Sequence, residues 1–130
     1  MAMTAMQMVD RAMAKVKTIT VDEAKDLVGR DDVTIVDIRD VRELWRDGKV
    51  PGAYHAPRGM LEFWIDKDSP YAKDIFQTGK TFVFYCAAGW RSALATEVAM
   101  ELGLENACHI EGGFGAWKKA GNEIENVEKK

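Results

Sequence analysis

A cysteine that closes an apolar run is followed by a short loop and then an arginine: Thr81-Phe-Val-Phe-Tyr-Cys86 continues as Cys86-Ala-Ala-Gly-Trp-Arg-Ser92. A strand that ends on Cys86, turns through Gly89 and opens a helix near Arg91 leaves the sulfur facing backbone N–H groups without intrahelical partners. The positive end of the helix dipole faces it too, and such surroundings favour thiolate over thiol. Arg91 adds a permanent cation whose planar fork of donors suits an oxyanion. Nucleophile and anion clamp therefore fall within one loop. The intervening residues Ala87, Ala88, Gly89 and Trp90 are the remaining candidates for substrate contact.

Each of these residues also has a plainer reading. A cysteine ending a buried strand is ordinarily a small, inert apolar residue, and only the company of Gly89 and Arg91 sets Cys86 apart. Arg91 near a helix start is poorly placed for a cation, so an anionic ligand or a carboxylate partner must compensate. Asp37 and Arg39, at the end of another strand, suit a structural ion pair or contact with an anionic donor. Arg58, in Ala56-Pro-Arg-Gly-Met60, is a candidate donor contact or a solvent-exposed cation. Trp90 is expected to point outward, either as a docking surface for an acceptor or packed against Phe63 or Trp64.

Cys108 is expected to be inert. It begins its strand where Cys86 ends a neighbouring one, so at about 3.3 Å per residue the two sulfurs stand on the order of 10 Å apart. His55 and His109 show no metal-ligand spacing, and Cys108 and His109 point to opposite faces of a strand, so no metal site is expected. Gly79-Lys-Thr81 lacks the first glycine of a phosphate-binding loop and precedes its strand. Gly113-Phe-Gly115 lacks the third glycine of a dinucleotide fingerprint. Both are turn chemistry.

The elements that position the loop alternate. Met6, Val9, Met13 and Val16 fall on one helical stripe within residues 1–16, an amphipathic extension. From Lys17 short strands and helices follow one another, the pattern of a parallel sheet covered on both faces. Strands are predicted at Lys17 to Thr20, Val33 to Asp37, Ala53 to His55, Thr81 to Cys86 and Asn106 to Ile110. Capping boxes at Thr20/Glu23 and Asp40/Glu43 start helices that run to about Val28 and Trp45. Further helical pieces are predicted at Met60 to Ile65, at Tyr71 to Gln77, after Arg91, and around Phe114 and Trp117. Residues 17–121 thus form one domain, and the charged tail 122–130 is expected to be partly disordered.

With 130 residues and two cysteines, the chain allows one cored domain and no disulfide framework. A net charge of −3 offers no general attraction to nucleic acid or anionic membranes, and no apolar run is long enough for a signal or a span. Any anion site must be local, and a reducing cytoplasm is the expected compartment.

Taken together, Val36-Asp-Ile-Arg-Asp40, Gly48-Lys-Val-Pro-Gly-Ala53, the Cys86 to Ser92 loop and Glu111-Gly-Gly-Phe-Gly-Ala-Trp117 make the chain resemble a single-domain rhodanese, a sulfurtransferase that carries sulfur as a cysteine persulfide. The resemblance covers roughly residues 16–121. It implies an α/β fold of three layers, a five-stranded, mostly parallel sheet with helices on both faces and the active loop at the strands' carboxyl ends. Lys49 stands where the family often has histidine, in a turn read here as structural.

Loop length bears on the chemistry. Cysteine phosphatases keep five residues between cysteine and arginine, whereas four separate Cys86 from Arg91. The tighter ring of N–H groups disfavours a tetrahedral phosphate and still leaves space for one extra sulfur on Cys86. In the mechanism that the resemblance implies, Cys86 takes the outer sulfur of a donor such as thiosulfate and passes it to a thiol or cyanide-like acceptor, or to a protein acceptor. Arg91 orients the anionic donor, and amides of Ala88, Gly89, Trp90 and Arg91 hold the persulfide. No cofactor is implied. The alternatives are a persulfide carrier without rapid turnover and, disfavoured by the loop length, a phosphatase or arsenate-reductase-like enzyme.

Overall fold

The computed structural model describes residues 2–129; Met1 and Lys130, the outer ends of the predicted first helix and of the tail, lie outside them. Five strands, β1 (Lys17–Ile19), β2 (Val33–Asp37), β3 (Tyr54–His55), β4 (Thr81–Tyr85) and β5 (Ala107–Ile110), form one sheet in the order β1-β5-β4-β2-β3. All four pairings are parallel. Strand β4 lies at the centre and is buried almost throughout. That explains why Phe82-Val-Phe-Tyr85 is uniformly apolar or aromatic instead of alternating.

Alternation decides which face each side chain serves. Phe82, Phe84 and Cys86 point to one side, where they pack with Val36, Leu61, Ile65, Ala95 and Ala99. Val83 and Tyr85 point to the other, against Ile35, Cys108, Ile110, Phe114 and Trp117. Helices α4 (Leu61–Ile65) and α5 (Trp90–Glu101) therefore cover the Cys86 face, and α2 (Val21–Lys25) and α6 (Gly113–Lys119) cover the opposite one. Helix α3 (Val41–Asp47) links β2 to β3 and buries Leu44. The first helix, α1 (Ala5–Lys15), packs Val9 and Ala12 against Ala93 of α5. Thr4 and Gln7 close a capping box at its start.

The predicted order of elements matches the structure, with differences at their ends. The predicted capping boxes at Thr20/Glu23 and Asp40/Glu43 both form. Helix α2 ends at Lys25 and turns carry the chain to Gly29. The stretch predicted as a helix over Tyr71 to Gln77 is a 3-10 turn, Asp74–Gln77.

The tail departs further from expectation. Lys49 and Glu125 exchange two backbone hydrogen bonds of 2.9 Å in an antiparallel bridge. Trp117 Nε1 donates to the Glu123 carbonyl at 2.7 Å, and Ile124 packs on the Trp117 side of the core. Residues 122–125 are thus docked, because one isoleucine and the paired backbone offset the charge around them.

Candidate active site

Cys86 lies just past β4, and Gly89 forms the N-cap of α5 with φ of +103°, a backbone conformation natural to glycine. No side chain caps this helix in the usual way, and its first turn carries no acid. The sulfur serves instead: Cys86 Sγ accepts from the Gly89 N–H at 3.1 Å and from the Ser92 N–H at 3.4 Å. The structure thus places on the sulfur one of the amides expected there, Gly89, and one not expected, Ser92. The N–H groups of Trp90 and Arg91 lie in the helix's first turn, where no intrahelical carbonyl reaches them. Cys86 is only 1% exposed, so its sulfur forms the floor of the loop.

Helix α6 fixes the other side of the loop. Phe114 N–H donates to the Cys86 carbonyl at 2.8 Å and Gly115 N–H to the Ala87 carbonyl at 3.0 Å. Gly113 permits this approach. A Cβ there would collide with the Cys86 carbonyl oxygen and stand 2.9 Å from that of Ala87. The Glu111 to Trp117 motif is therefore the rear support of the Cys86 loop, a role that its glycines make possible.

Arg91 meets a carboxylate. Its Nη1 and Nη2 donate to Glu43 Oε2 and Oε1 at 2.9 and 3.0 Å, a bidentate pair that leaves the arginine side chain 43% exposed. The hydrogen bonds to Glu43 raise the Arg91 pKa, and the charge of Glu43 adds to the effect. The same bonds hold Glu43 below the ordinary carboxylate range. Sequence reasoning required a partner for this cation and left it unidentified. Glu43 was visible only as a capping residue.

Of the two roles expected for Arg39, ion pair with Asp37 or contact with an anionic donor, the geometry fits the ion pair. Arg39 is 1% exposed and turned inward, with Nε 3.0 Å from Asp37 Oδ1 and a second nitrogen 2.7 Å from both Asp37 Oδ2 and the Gly48 carbonyl. Its guanidinium carbon sits 4.4 Å from the centre of the Phe114 ring, and Tyr85 donates to Asp37 Oδ2 at 2.6 Å. Nε and one terminal nitrogen are thus committed to the protein, and Arg39 ties β2, β4, the turn after α3 and α6 together. Substrate contact by Arg39 is corrected to a structural role.

Arg58 bonds Glu62 at 2.8 Å, an i,i+4 pair at the partly exposed surface. Trp90 points outward at 59% exposure, while Trp64 stacks edge-on against Tyr54 instead. Trp90 also borders a groove of about 280 Å³ with Met6, Met13, Ala88, His109 and Glu111. Cys108 faces the opposite core from Cys86 and pairs in register with Val83. Burial pushes its thiol up to about 11.

The sequence model of the rhodanese-like domain matches residues 20–120, which brackets the loop and both of its supports. This chain belongs to the rhodanese-like domain family. A mouse protein, thiosulfate sulfurtransferase/rhodanese-like domain-containing protein 3, is 30% identical over 106 residues, covering 78% of this chain and 68% of the mouse protein. Human thiosulfate:glutathione sulfurtransferase is 27% identical, with 81% of this chain and 96% of the human protein covered. A solved structure from Rhodopseudomonas palustris, described as a protein of unknown function and possible tyrosine phosphatase, is 55% identical over 96% of both chains, with a TM-score of 0.92. This rhodanese-like chain spans 53% or less of two other curated relatives. Helix α1 lies outside the span matched to the family.

Proposed function

We infer that the protein is a sulfurtransferase that moves sulfane sulfur from a donor such as thiosulfate to a thiophilic acceptor through a persulfide on Cys86. The observation that carries this reading is a cysteine sulfur taking the place of a helix cap, with amides from Gly89 and Ser92 already directed at it. Negative charge on Sγ is stabilised there without reorganisation. Thiolate attack on the outer sulfur of thiosulfate forms the Sγ–S bond, and sulfite leaves with the electron pair of the broken S–S bond. The outer sulfur then lies toward the Trp90 and Arg91 N–H groups. An acceptor nucleophile attacks that sulfur, and the bonding pair returns to Cys86 as thiolate.

Arg91 supplies the positive charge at the loop mouth, and its grip on Glu43 keeps the guanidinium in one place. The mouse and human relatives, whose names include thiosulfate sulfurtransferase and thiosulfate:glutathione sulfurtransferase, support a small sulfur donor and a thiol acceptor.

The R. palustris description favours a second reading, phosphate-ester hydrolysis. Four residues between Cys86 and Arg91 and a sulfur only 1% exposed argue against it. A terminal sulfur atom is slim enough for the floor of this loop, whereas a phosphoryl group needs a wider ring for its oxygens. Thiocyanate formation from thiosulfate and cyanide, beside hydrolysis of a phenyl phosphate, separates the two. Cys86-dependent thiocyanate without phosphate release supports sulfur transfer, and the reverse result refutes it. Sulfur loading with negligible release identifies a carrier.

A further inference from the structure

His109 sits on β5 with a hydroxyl at each end of its ring. Ser92 Oγ lies 2.9 Å from Nδ1, and Thr18 Oγ1 lies 3.0 Å from Nε2. The parallel register puts Thr18 directly beside His109 on the edge strand β1. At the other end, Ser92 Oγ is 3.6 Å from Cys86 Sγ. Four side chains, from the Cys86 loop, α5, β5 and β1, thus form an unbroken line from the sulfur to the half-buried edge of the sheet. Ser92 and His109 are both almost completely buried, so bulk water does not interrupt it.

Each hydroxyl and the neutral imidazole has one proton to give along this line, and the line can therefore point either way. Pointing outward, the thiol donates to Ser92, Ser92 to Nδ1, and Nε2–H to Thr18. Pointing inward, Thr18 donates to Nε2, Nδ1–H to Ser92, and the Ser92 hydroxyl to a thiolate. The two arrangements differ by a single proton, held on the sulfur in the first and released to water beside Thr18 in the second. We propose that Ser92, His109 and Thr18 form a proton relay that carries the Cys86 proton out of the loop floor and leaves the Ser92 hydroxyl donating to the thiolate.

The step balances. The Cys86 proton passes to Ser92 Oγ, the Ser92 proton to Nδ1, the Nε2 proton to Thr18 Oγ1, and the Thr18 proton to water at the sheet edge. Sγ gains the negative charge and His109 changes tautomer without being charged. Burial lowers the His109 pKa, in keeping with an imidazole that stays neutral. The charged groups around it are Asp10 of α1 and Glu111, which border the same groove, and Lys17 beside Thr18. Arg91, on α5, is occupied by Glu43. Ser92 touches the reacting sulfur; His109 and Thr18 are positioning residues that act through it.

The relay depends on Cys86 being the nucleophile proposed above, but its test does not require sulfur transfer. The pH dependence of Cys86 alkylation by iodoacetamide is followed by peptide mass in the full chain, in Ser92→Ala, in Thr18→Val and in Thr18→Ser. A neutral hydrogen bond to the ionised form is worth enough to move the midpoint upward by about half to one pH unit in Ser92→Ala, and by a smaller amount in Thr18→Val. Thr18→Ser restores the wild-type midpoint because it keeps the hydroxyl. Valine matches threonine in shape and suits a strand, so the fold is retained. A Thr18→Val profile that superposes on the wild type, or a shift that Thr18→Ser fails to reverse, overturns the relay. A midpoint shift reversed by Thr18→Ser, in a protein that takes no sulfur from thiosulfate, upholds the relay and refutes sulfur transfer alone.

Discussion

Arg91 grips Glu43 through two parallel hydrogen bonds of 2.9 and 3.0 Å, while the same Glu43 accepts the Asp40 N–H that closes the capping box of α3. One carboxylate thus links the start of α3 to the mouth of the cysteine loop. In Arg91→Ala the cation is lost and Glu43 is left as an unopposed negative charge beside the donor. The Michaelis constant for thiosulfate should rise by about tenfold or more, the worth of a charge-assisted contact, and that for a neutral persulfide by less than about threefold. Adding Glu43→Gln removes the repulsion and recovers part of the loss. Steady-state kinetics with both donor types checks this, and equal losses on the two would refute it.

The Arg39 and Asp37 pair contributes to stability and not to substrate binding. Removing one member of a buried, hydrogen-bonded pair typically costs about 3–5 kcal/mol, and Arg39→Lys should also be costly because an ammonium cannot reproduce the fork that reaches both Asp37 and the Gly48 carbonyl. Urea denaturation measures the loss. A raised Michaelis constant with unchanged stability would return Arg39 to the donor site.

At Gly113, φ of +59° and the Cys86 and Ala87 carbonyls both exclude a side chain. Gly113→Ala should destabilise the fold by about 1–3 kcal/mol and slow sulfur loading of the fraction that folds, since the loop must shift to admit the methyl group. Denaturation and single-turnover loading test the two effects separately. Full stability with wild-type loading would show that the rear support is not rigid.

Alkaline pH provides another test. Burial raises the Cys108 thiol from its ordinary value near 9 to about 11 in the folded chain. Above pH 9 the unfolded chain releases this proton while the folded chain keeps it, so stability falls as pH rises through that window. Wild type should lose on the order of 2 kcal/mol relative to Cys108→Ala between pH 9 and 11, with no difference below that range. Parallel pH profiles for the two proteins would contradict the burial argument.

Sequence patterns revealed the alternating elements because apolar period, capping boxes and stop glycines all act locally: Thr20/Glu23 and Asp40/Glu43 each fix a helix start without reference to the rest of the chain. The Cys86 loop was legible for the same reason, since nucleophile, turn and cation are close in sequence. What could not be read was how distant elements meet. Glu43 is 48 positions from Arg91, Thr18 is 91 from His109, and Lys49 meets Glu125 across the whole domain. Arg39 showed the same difficulty: a cation at a strand's end looks available until the fold turns Phe114 and Gly48 toward it.

Intact mass after incubation with thiosulfate and removal of excess reagent tests the central claim most directly. The wild-type chain should gain the mass of one sulfur atom, lose it again on treatment with cyanide, and show no gain in Cys86→Ser, while Cys108→Ala should load like wild type. A wild-type chain of unchanged mass, or a gain that persists in Cys86→Ser, would contradict the account.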